Sequence, residues 1–278
     1  MAIRLDGVTV TVGGHVVLED VDLDLPAGTH AAIIGPSGAG KSSLISLLLG
    51  LHTAAAGEVR VDGAPLDIEA LRRDCVWLDP AVQLWSAPML ENLRYGHTGA
   101  EPDWDEVLDA AQLHGVVAGL PEGLATPLGA GGGRLSGGEG QRVRLGRGVA
   151  RRSPRLVLLD EPFRGLDRAT RRGLLARLRA RWPAATLLCV THDVVDTRDF
   201  PRVLVVEEGR VVEDHAGAPA AGSLYARLLD EAERADAEVW ADWRKVRVEG
   251  GRVVEAGEHR AGEHRTSERS AMEVGHGG

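Results

Sequence analysis

Cysteine and long apolar runs are both scarce in this sequence, and their scarcity excludes several classes of protein. The two cysteines, Cys75 and Cys189, lie far apart and lack the spacing of zinc ligands, so neither a disulfide framework nor a zinc site is expected. No apolar run approaches the roughly 18 residues that a membrane-spanning helix needs. From Met1 to Val12, polar and apolar side chains alternate, unlike in a secretory signal. We therefore expect reduced thiols, and no helix of this chain that crosses a bilayer.

Lysine is nearly absent, and positive charge as a whole is outweighed by negative charge. Lys41 and Lys245 are the only lysines, whereas 41 aspartates and glutamates bring the formal net charge to -9. A chain with this balance lacks a broad electrostatic footprint for nucleic acid, so we predict no nucleic-acid partner. Its 278 residues, 44% of them hydrophobic, suffice for a full core in one large or two small domains. Any anion that the protein binds must be held by a local site.

Two patterns of apolar residues predict the sheets. From Ile3 to Leu25 polar and apolar side chains alternate, which is the period of half-buried antiparallel strands. Short apolar runs elsewhere are typical of parallel strands that are buried on both faces. These runs are Ala31–Ile34, Cys75–Leu78, Leu156–Leu159, Thr186–Val190 and Val203–Val206. Because helical segments such as Asp167–Arg181 separate them, the sequence predicts a doubly wound α/β core.

The segment after the first of these runs fits a phosphate-binding loop. Residues 35–42 read GPSGAGKS and match G-x-x-x-x-G-K-[ST] in the strand-to-helix context that the motif requires. Glycines let backbone N–H groups curl around phosphates, and the helix N-terminus adds a favourable dipole. We expect Lys41 to reach the β and γ phosphates and Ser42 to bind Mg²⁺. The predicted nucleotide-binding residues are Gly35, Pro36, Ser37, Gly38, Ala39, Gly40, Lys41, Ser42 and Ser43.

Two carboxylates follow the apolar run at Leu156–Leu159. Parallel strands deliver their carboxyl ends to one edge of a sheet, so Asp160 and Glu161 should lie near the phosphate loop. We predict that Asp160 holds Mg²⁺ through water. Glu161 is predicted to act as general base toward the attacking water, a role worth about 10² to 10⁴ in rate.

A second glycine-rich element opens another helix. Residues 135–139 read LSGGE and precede a predicted helix at Gly140–Arg151, so they form another anion-binding helix N-terminus with an adjacent serine. One nucleotide does not need two such devices from the same subunit. The motif resembles the signature of ABC-type ATPase cassettes, whose dimers bind ATP between the phosphate loop of one subunit and the signature of the other. The resemblance implies that Ser136, Gly137 and Gly138 bind nucleotide across a dimer.

The resemblance extends over about Ile3 to Asp230, with several motifs in the family's order. Residues 165–167 look like the D-loop that crosses the dimer interface, and His192 follows a strand as the family's switch histidine does. In that reading His192 senses the γ phosphate and positions the water. The implied fold is α/β, a P-loop NTPase core with an antiparallel β subdomain and a helical subdomain. The implied cofactors are ATP and Mg²⁺. The implied partners are a second cassette, identical or paralogous, and a transmembrane domain or permease subunit, at the cytoplasmic face of the cell membrane.

Within the family, two segments are similar to those of exporter cassettes. Residues 85–96 resemble the stretch after their Q-loop, and residues 120–129 resemble the run before their signature. Such cassettes usually follow transmembrane helices in the same polypeptide, so either the membrane part is a separate chain or this sequence is an excised domain. Two other functions stay open: a soluble ABC-type ATPase that acts on ribosomes or DNA, and a regulatory cassette that hydrolyses nucleotide poorly.

The sequence departs from the family pattern at two places in the nucleotide site. The family usually stacks an aromatic side chain on adenine near residues 10–12, which here read VTV, and His15 is the only planar ring nearby. The Q-loop glutamine is expected near residue 79 or 80, but the nearest glutamine is Gln83. Our hypothesis is that Asp79 supplies the oxygen ligand instead.

The domain organisation predicted from the sequence has three parts. Residues 1–235 are expected to form the cassette, with the helical subdomain at about residues 84–150. Residues 236–249 are expected to be a C-terminal helical extension. Residues 250–278, which contain the sequence AGEHR twice, are too polar to offset the entropy of ordering and are expected to be a disordered tail.

Overall fold

The structure, a computed structural model, describes residues 1–79, 83–97, 99–151, 153–242, 247–249 and 252–255. The chain divides into two units, residues 1–232 and 233–278. The strands are β1 (Ile3–Val12), β2 (His15–Leu25), β3 (His30–Ile34), β4 (Ala54–Val61), β5 (Ala64–Pro65), β6 (Cys75–Leu78), β7 (Leu156–Asp160), β8 (Thr186–Val190), β9 (Arg202–Glu207), β10 (Arg210–Ala216), β11 (Arg247–Glu249) and β12 (Arg252–Glu255). The α-helices are α1 (Lys41–Leu48), α2 (Ile68–Arg73), α3 (Met89–Arg94), α4 (Trp104–Ala110), α5 (His114–Ala118), α6 (Gly137–Val149), α7 (Arg168–Arg181) and α8 (Leu224–Asp242). Across the described part of the chain, no helix is long and apolar enough to cross a bilayer.

The first sheet is antiparallel and has the strand order β2-β1-β4-β5. Along β1 the side chains of Ile3 and Leu5 are buried, while Arg4 between them is exposed. The alternation along residues 3–25 predicted this arrangement, because successive side chains of a strand point to opposite faces. The antiparallel layer is therefore confirmed.

The second sheet carries the α/β core and has the strand order β10-β9-β3-β8-β7-β6. Its neighbouring strands from β9 to β6 pair in parallel, and β10 closes one side as the antiparallel partner of β9. Every residue of β3 and of β8 is buried, as expected for strands that are covered on both faces. Because these strands run in the same direction, the loops after β3, β7 and β8 meet at one edge of the sheet.

The helical region between β6 and β7 has an apolar cluster of its own. Residues from α3, α4 and α6 meet there with the segments that join them. The buried members are Leu84, Met89, Leu93, Leu108, Ala111, Leu113, Val116, Leu128 and Val143. The boundaries of the helical subdomain, about residues 84–150, stay a prediction.

The second unit differs from the sequence prediction in two places. Arg247–Glu249, expected to be helical, is a strand, and Arg252–Glu255, expected to be disordered, is its antiparallel partner. β-branched Val248 and Val253 favour strands, and this local preference explains the pairing. Trp243, Lys245 and both AGEHR repeats lie outside the described residues.

Candidate active site

The phosphate loop runs from β3 into α1, and its shape depends on glycines. Gly35 and Gly40 have φ values of 146° and 105°, which favour glycine. A Cβ atom on Gly35 would lie 1.9 Å from the carbonyl oxygen of Val206, and one on Gly40 would lie 2.7 Å from that of Val17. The loop therefore passes too close to β9 and β2 for any side chain at these positions. Helix α1 begins at Lys41 without a side-chain cap, so its first N–H groups are available to an anion.

The Lys41 side chain is buried and lies over this loop. Its ammonium donates hydrogen bonds to the carbonyl oxygens of Gly35 (2.8 Å) and Pro36 (2.7 Å). Burial lowers the pKa of Lys41, and the nearby carboxylates of Glu161 and Asp160 act in the opposite direction. An ammonium has three donors, so one N–H remains to reach a phosphate oxygen.

Asp160 ends β7 at the sheet edge where the phosphate loop also lies. Its carboxylate accepts a hydrogen bond from the Ser42 side chain. Burial raises the pKa of Asp160; the Ser42 hydrogen bond opposes this effect, the neighbouring Glu161 and Asp79 carboxylates add to it, and Lys41 again opposes it. The Asp160 carboxylate thus lies against the Ser42 hydroxyl, as predicted, and Glu161 and Asp79 are near enough to act on Asp160 through their charge.

This donor set fits a magnesium ion. Carboxylate and hydroxyl oxygens are the hard ligands that Mg²⁺ prefers, and Mg²⁺ is typically bound through one or two carboxylates together with waters and substrate phosphates. Within the described ranges, no group of three His, Cys, Asp or Glu side chains is arranged to hold a metal by itself. Ser42 and Asp160 would hold the ion together with the phosphates, and that assignment stays a prediction.

Glu161 and His192 meet beside the phosphate loop. Glu161 has a φ of 46°, a strained value for a non-glycine residue, and its N–H donates a hydrogen bond to the Val190 carbonyl (3.0 Å). This places its carboxylate Oε1 in contact with His192 Nε2. The side chains are 25% and 48% exposed, so both can meet a water or a ligand. The carboxylate and the imidazole come from the loops after β7 and β8, as the parallel topology requires.

A cavity of about 510 Å³ joins these groups. It is lined by residues of the phosphate loop, including Gly38, Lys41 and Ser42, and by Glu161 and His192. The predicted lysine, hydroxyl, carboxylate and imidazole therefore face a common space.

The LSGGE segment lies elsewhere. Ser136 caps α6, because its hydroxyl accepts the Glu139 N–H (3.3 Å) while the Glu139 carboxylate accepts the Ser136 N–H (2.8 Å). These bonds lower the pKa of Glu139. Among the described residues that line the 510 Å³ cavity, none belongs to residues 136–138. Within one chain, the phosphate loop and the N-terminus of α6 therefore do not line the same cavity.

Comparison with known proteins decides which family has this combination of elements. Residues 18–164, more than half of the chain, match the family model described as "ABC transporter". The chain belongs to the ABC transporter family. Its fold is that of an ABC ATPase, with a mixed α/β core, an antiparallel sheet and helices.

Three proteins illustrate the similarity. The mycobactin import ATP-binding/permease protein IrtB of Mycolicibacterium smegmatis is 36% identical over 248 residues, which are 87% of this chain and 42% of the relative. The ATP-dependent lipid A-core flippase of Ralstonia nicotianae is 34% identical over 237 residues, 81% of this chain and 40% of the relative. An ATP-bound bacterial Atm1-family ABC exporter superposes with a TM-score of 0.75 at 29% identity, covering 83% of this chain and 42% of that chain. The chain spans about two fifths of the length of these relatives.

Four residues of the cavity in this ABC cassette were not predicted from the sequence. Val16 and Val17 of β2 line it, as do Glu208 and Gly209 of the β9–β10 turn. The turn is tied to the phosphate loop because Gly209 N–H donates a hydrogen bond to the Ala39 carbonyl (2.8 Å). No local motif marks these residues, and only long-range pairing brings them to the site. In the described lining there is no Phe, Tyr or Trp, in line with the VTV sequence at residues 10–12.

The Q-loop region of the ABC cassette places Asp79, rather than Gln83, near the acidic edge. The Asp79 carboxylate is close enough to raise the pKa of Asp160, whereas the main-chain carbonyl of Gln83 accepts a hydrogen bond from Arg147 Nη1 (3.0 Å). The Gln83 side chain is exposed. That Asp79 acts as an oxygen ligand stays a hypothesis, which its position favours.

Proposed function

We propose that this chain is the ATP-binding and hydrolysing cassette of an ABC transporter, of the exporter type, that powers substrate movement by a transmembrane domain or permease subunit. The observation that carries the proposal is the contact between Glu161 and His192 on the cavity of the phosphate loop. A carboxylate that is oriented by an imidazole next to a phosphate-binding loop is suited to direct a water at a terminal phosphate. The relatives' names differ in what they carry, so the substrate stays open.

The chemistry follows from the groups in the cavity. The backbone N–H groups of the phosphate loop and the free N–H of Lys41 bind the β and γ phosphates. Glu161 orients the attacking water and accepts its proton, while His192 holds the carboxylate and reaches toward the γ phosphate. Ser42 and Asp160 would hold Mg²⁺, which would supply positive charge toward the phosphate oxygens.

A second cassette, identical or paralogous, completes each site. The N-terminus of α6 is capped in its own chain but lies outside the cavity of the phosphate loop. In a head-to-tail dimer, Ser136, Gly137 and Gly138 of one copy would bind the triphosphate held by Lys41 of the other. Hydrolysis would then open the pair, and the transmembrane partner would convert that motion into transport.

Hydrolysis that depends on Mg²⁺ and on Lys41 tests the enzymatic part. The purified chain should release phosphate from ATP with Mg²⁺ and not with EDTA, and Lys41→Ala should lower the rate about 100-fold or more because it removes the buried cation of the phosphate site. Phosphate release is the measurement. The matched control is Lys245→Ala, which removes the only other lysine and should hydrolyse at the normal rate. Equal rates for the two variants would contradict the site.

The membrane partner is proposed to dock in a groove between β6 and α6. This groove, the Arg147 groove, is lined by Trp77, Tyr95, Arg144, Arg147 and Arg151 and has a volume of about 200 Å³. Tyr95 and Trp77 are 59% and 40% exposed, which is unusual for large rings. A second cavity of about 400 Å³ shares Trp77 and Arg151 with it and adds Leu49 and Leu51. An apolar, cationic groove of this kind fits an amphipathic segment with acidic residues.

Buried polar groups hold the Arg147 groove in shape. Arg147 Nε and Nη2 donate hydrogen bonds to the main-chain oxygen (2.7 Å) and side-chain Oδ1 (2.9 Å) of Asn92, and the guanidinium lies 4.5 Å from the centroid of the Trp85 ring. Burial lowers the pKa of Arg147 to about 10, so the groove remains cationic at neutral pH. Asp79 also lines this groove, and it reaches the Asp160 edge electrostatically.

A sedimentation experiment tests the membrane association, proposed at the cytoplasmic face. Tagged chain is mixed with membrane vesicles from its source cells and centrifuged. We expect the unaltered chain to sediment with the vesicles and Tyr95→Glu to stay in the supernatant, because a carboxylate replaces the exposed ring. Val212→Glu, which alters an exposed residue of β10, should still sediment. An unaltered chain that stays with ribosomes or DNA instead would favour a soluble ABC-type ATPase.

A further inference from the structure

Arg171, in α7, bridges two acids on the segment that follows His192. Its Nη2 lies 2.5 Å from Asp193 Oδ2, and its Nε lies 3.5 Å from Asp196 Oδ2. The three side chains are 20%, 27% and 5% exposed, so the cluster is shielded from water. Shielded ion pairs are screened much less by salt than surface pairs.

Asp196 makes this cluster sensitive to the loss of Arg171. Within the described residues, neither carboxylate oxygen of Asp196 has a hydrogen-bond partner. Arg171 lies within ion-pair distance of it, and Arg168 and Arg172 also act on it through their charge. A buried carboxylate without a compensating charge is costly. Arg171 therefore contributes to holding the segment after β8 in place.

The same guanidinium faces the reacting groups. A cavity of about 410 Å³ is lined by Glu161, His192 and Asp193, and also by Arg171 and Gly165. Asp193 directly follows His192, and its N–H donates a hydrogen bond to the Thr191 hydroxyl (3.0 Å). Because the two residues are adjacent in the chain, a displacement of Asp193 would also displace the His192 imidazole.

Helix α7 connects Arg171 to the turn at residues 165–167. The Asp167 side chain caps α7 by accepting the Thr170 N–H (3.0 Å), and the Arg171 N–H donates a hydrogen bond to the Asp167 carbonyl (2.9 Å). Arg171 is therefore one helical turn from this cap. Because these bonds join residues 167–171 into one helical turn, a displacement of the turn at residues 165–167 would also displace Arg171.

We propose that Arg171 is a positioning residue: through its bridge to Asp193 and Asp196 it sets the location of His192 against Glu161 and links that contact to the turn at residues 165–167. The inference rests on the proposed ATP hydrolysis. It adds a control point outside the phosphate loop, because a shift of α7 alters the Glu161–His192 contact without altering the residues that grip the phosphates.

Charge reversal tests the proposal. Arg171→Glu and Asp193→Arg should each lower kcat about tenfold with little change in KM for ATP, because the phosphate-binding residues are untouched. The double variant restores an opposite-charge pair between residues 171 and 193 but leaves Asp196 facing a carboxylate, so it should recover part of the lost kcat. Ala176→Glu, which adds a negative charge at an exposed position of the same helix, is the matched control and should keep its kcat.

A spectroscopic measurement separates this inference from the proposed function. The NMR signal of the His192 ring, assigned by its loss in His192→Asn, should shift in each single reversal and return in the double variant, whether or not the chain hydrolyses ATP. Where a reversal fails to fold, Asp193→Asn, nearly equal in size, serves instead and should also shift the signal and lower kcat. An unchanged His192 signal and unchanged kcat in folded Asp193→Asn would overturn the proposal, as would a double variant no better than the singles.

Discussion

Glu161→Gln is expected to stop ATP hydrolysis almost completely while ATP remains bound. Loss of a general base typically lowers a rate by about 10² to 10⁴. Glutamine has the same shape as glutamate, so the strained backbone at residue 161 and the proximity to His192 can persist. Lys41 and the phosphate loop are unchanged and should retain the nucleotide.

The measurements are phosphate release and equilibrium binding of ATP by the same preparation. Glu208→Gln is the matched control, because Glu208 lines the same cavity from the β9–β10 turn and the change removes one carboxylate there too. We expect it to hydrolyse ATP at close to the normal rate. If Glu161→Gln also hydrolysed ATP normally, Glu161 would not be the base.

Mixed dimers are expected to reveal that each nucleotide site is built from two chains. Gly137→Asp should prevent the N-terminus of α6 from binding a triphosphate without disturbing the fold. A Cβ at residue 137 meets nothing within 4 Å, and an aspartate in the first turn stabilises a helix. Its carboxylate repels a triphosphate. Lys41→Ala disables the other side.

The placement of the two changes decides the outcome. When one copy carries Lys41→Ala and the other carries Gly137→Asp, both changes fall in the same composite site and the other site is intact. When one copy carries both changes and its partner carries neither, each site has one defect. We expect the first dimer to hydrolyse ATP at least about tenfold faster than the second, since one phosphate-binding device is worth that much.

Two affinity tags isolate the mixed dimers, and phosphate release is measured for each. Dimers made only of Lys41→Ala or only of Gly137→Asp set the background. Gly137→Ala, which adds a methyl group but no charge, should leave the rate near normal. Equal rates for the two mixed dimers would contradict a head-to-tail arrangement.

Features that depend on residues adjacent in the sequence could be predicted. The loop at residues 35–42 lies between β3 and α1 because an apolar run, glycines and a helix-forming segment follow one another directly. Asp160 and Glu161 could be placed at the same edge because parallel strands share a direction. The helix after LSGGE could be predicted too, although it begins at Gly137 rather than at Gly140 because Ser136 caps it.

Features that depend on long-range packing could not be predicted. Val16 and Glu208 reach the cavity only because β2 and the β9–β10 turn pack against the phosphate loop. Arg171 and Asp193 lie in separate elements, and no spacing rule pairs them. The predictions that residues 247–249 are helical and residues 252–255 are disordered were wrong for a different reason. The C-terminal residues are polar overall, and this composition hides the preference of their few β-branched side chains for strands.

The hydrogen bonds of Lys41 to Gly35 and Pro36 have a consequence for which cation this position tolerates. A compact, tetrahedral ammonium can satisfy two inward carbonyls and still point a proton outward, whereas a flat guanidinium is wider and sends its donors out in one plane. In a protein whose other cationic side chains are almost all arginine, this geometry explains why residue 41 is lysine. It also means that the loop is held in shape by its own cation, so a nucleotide would meet a preformed cradle.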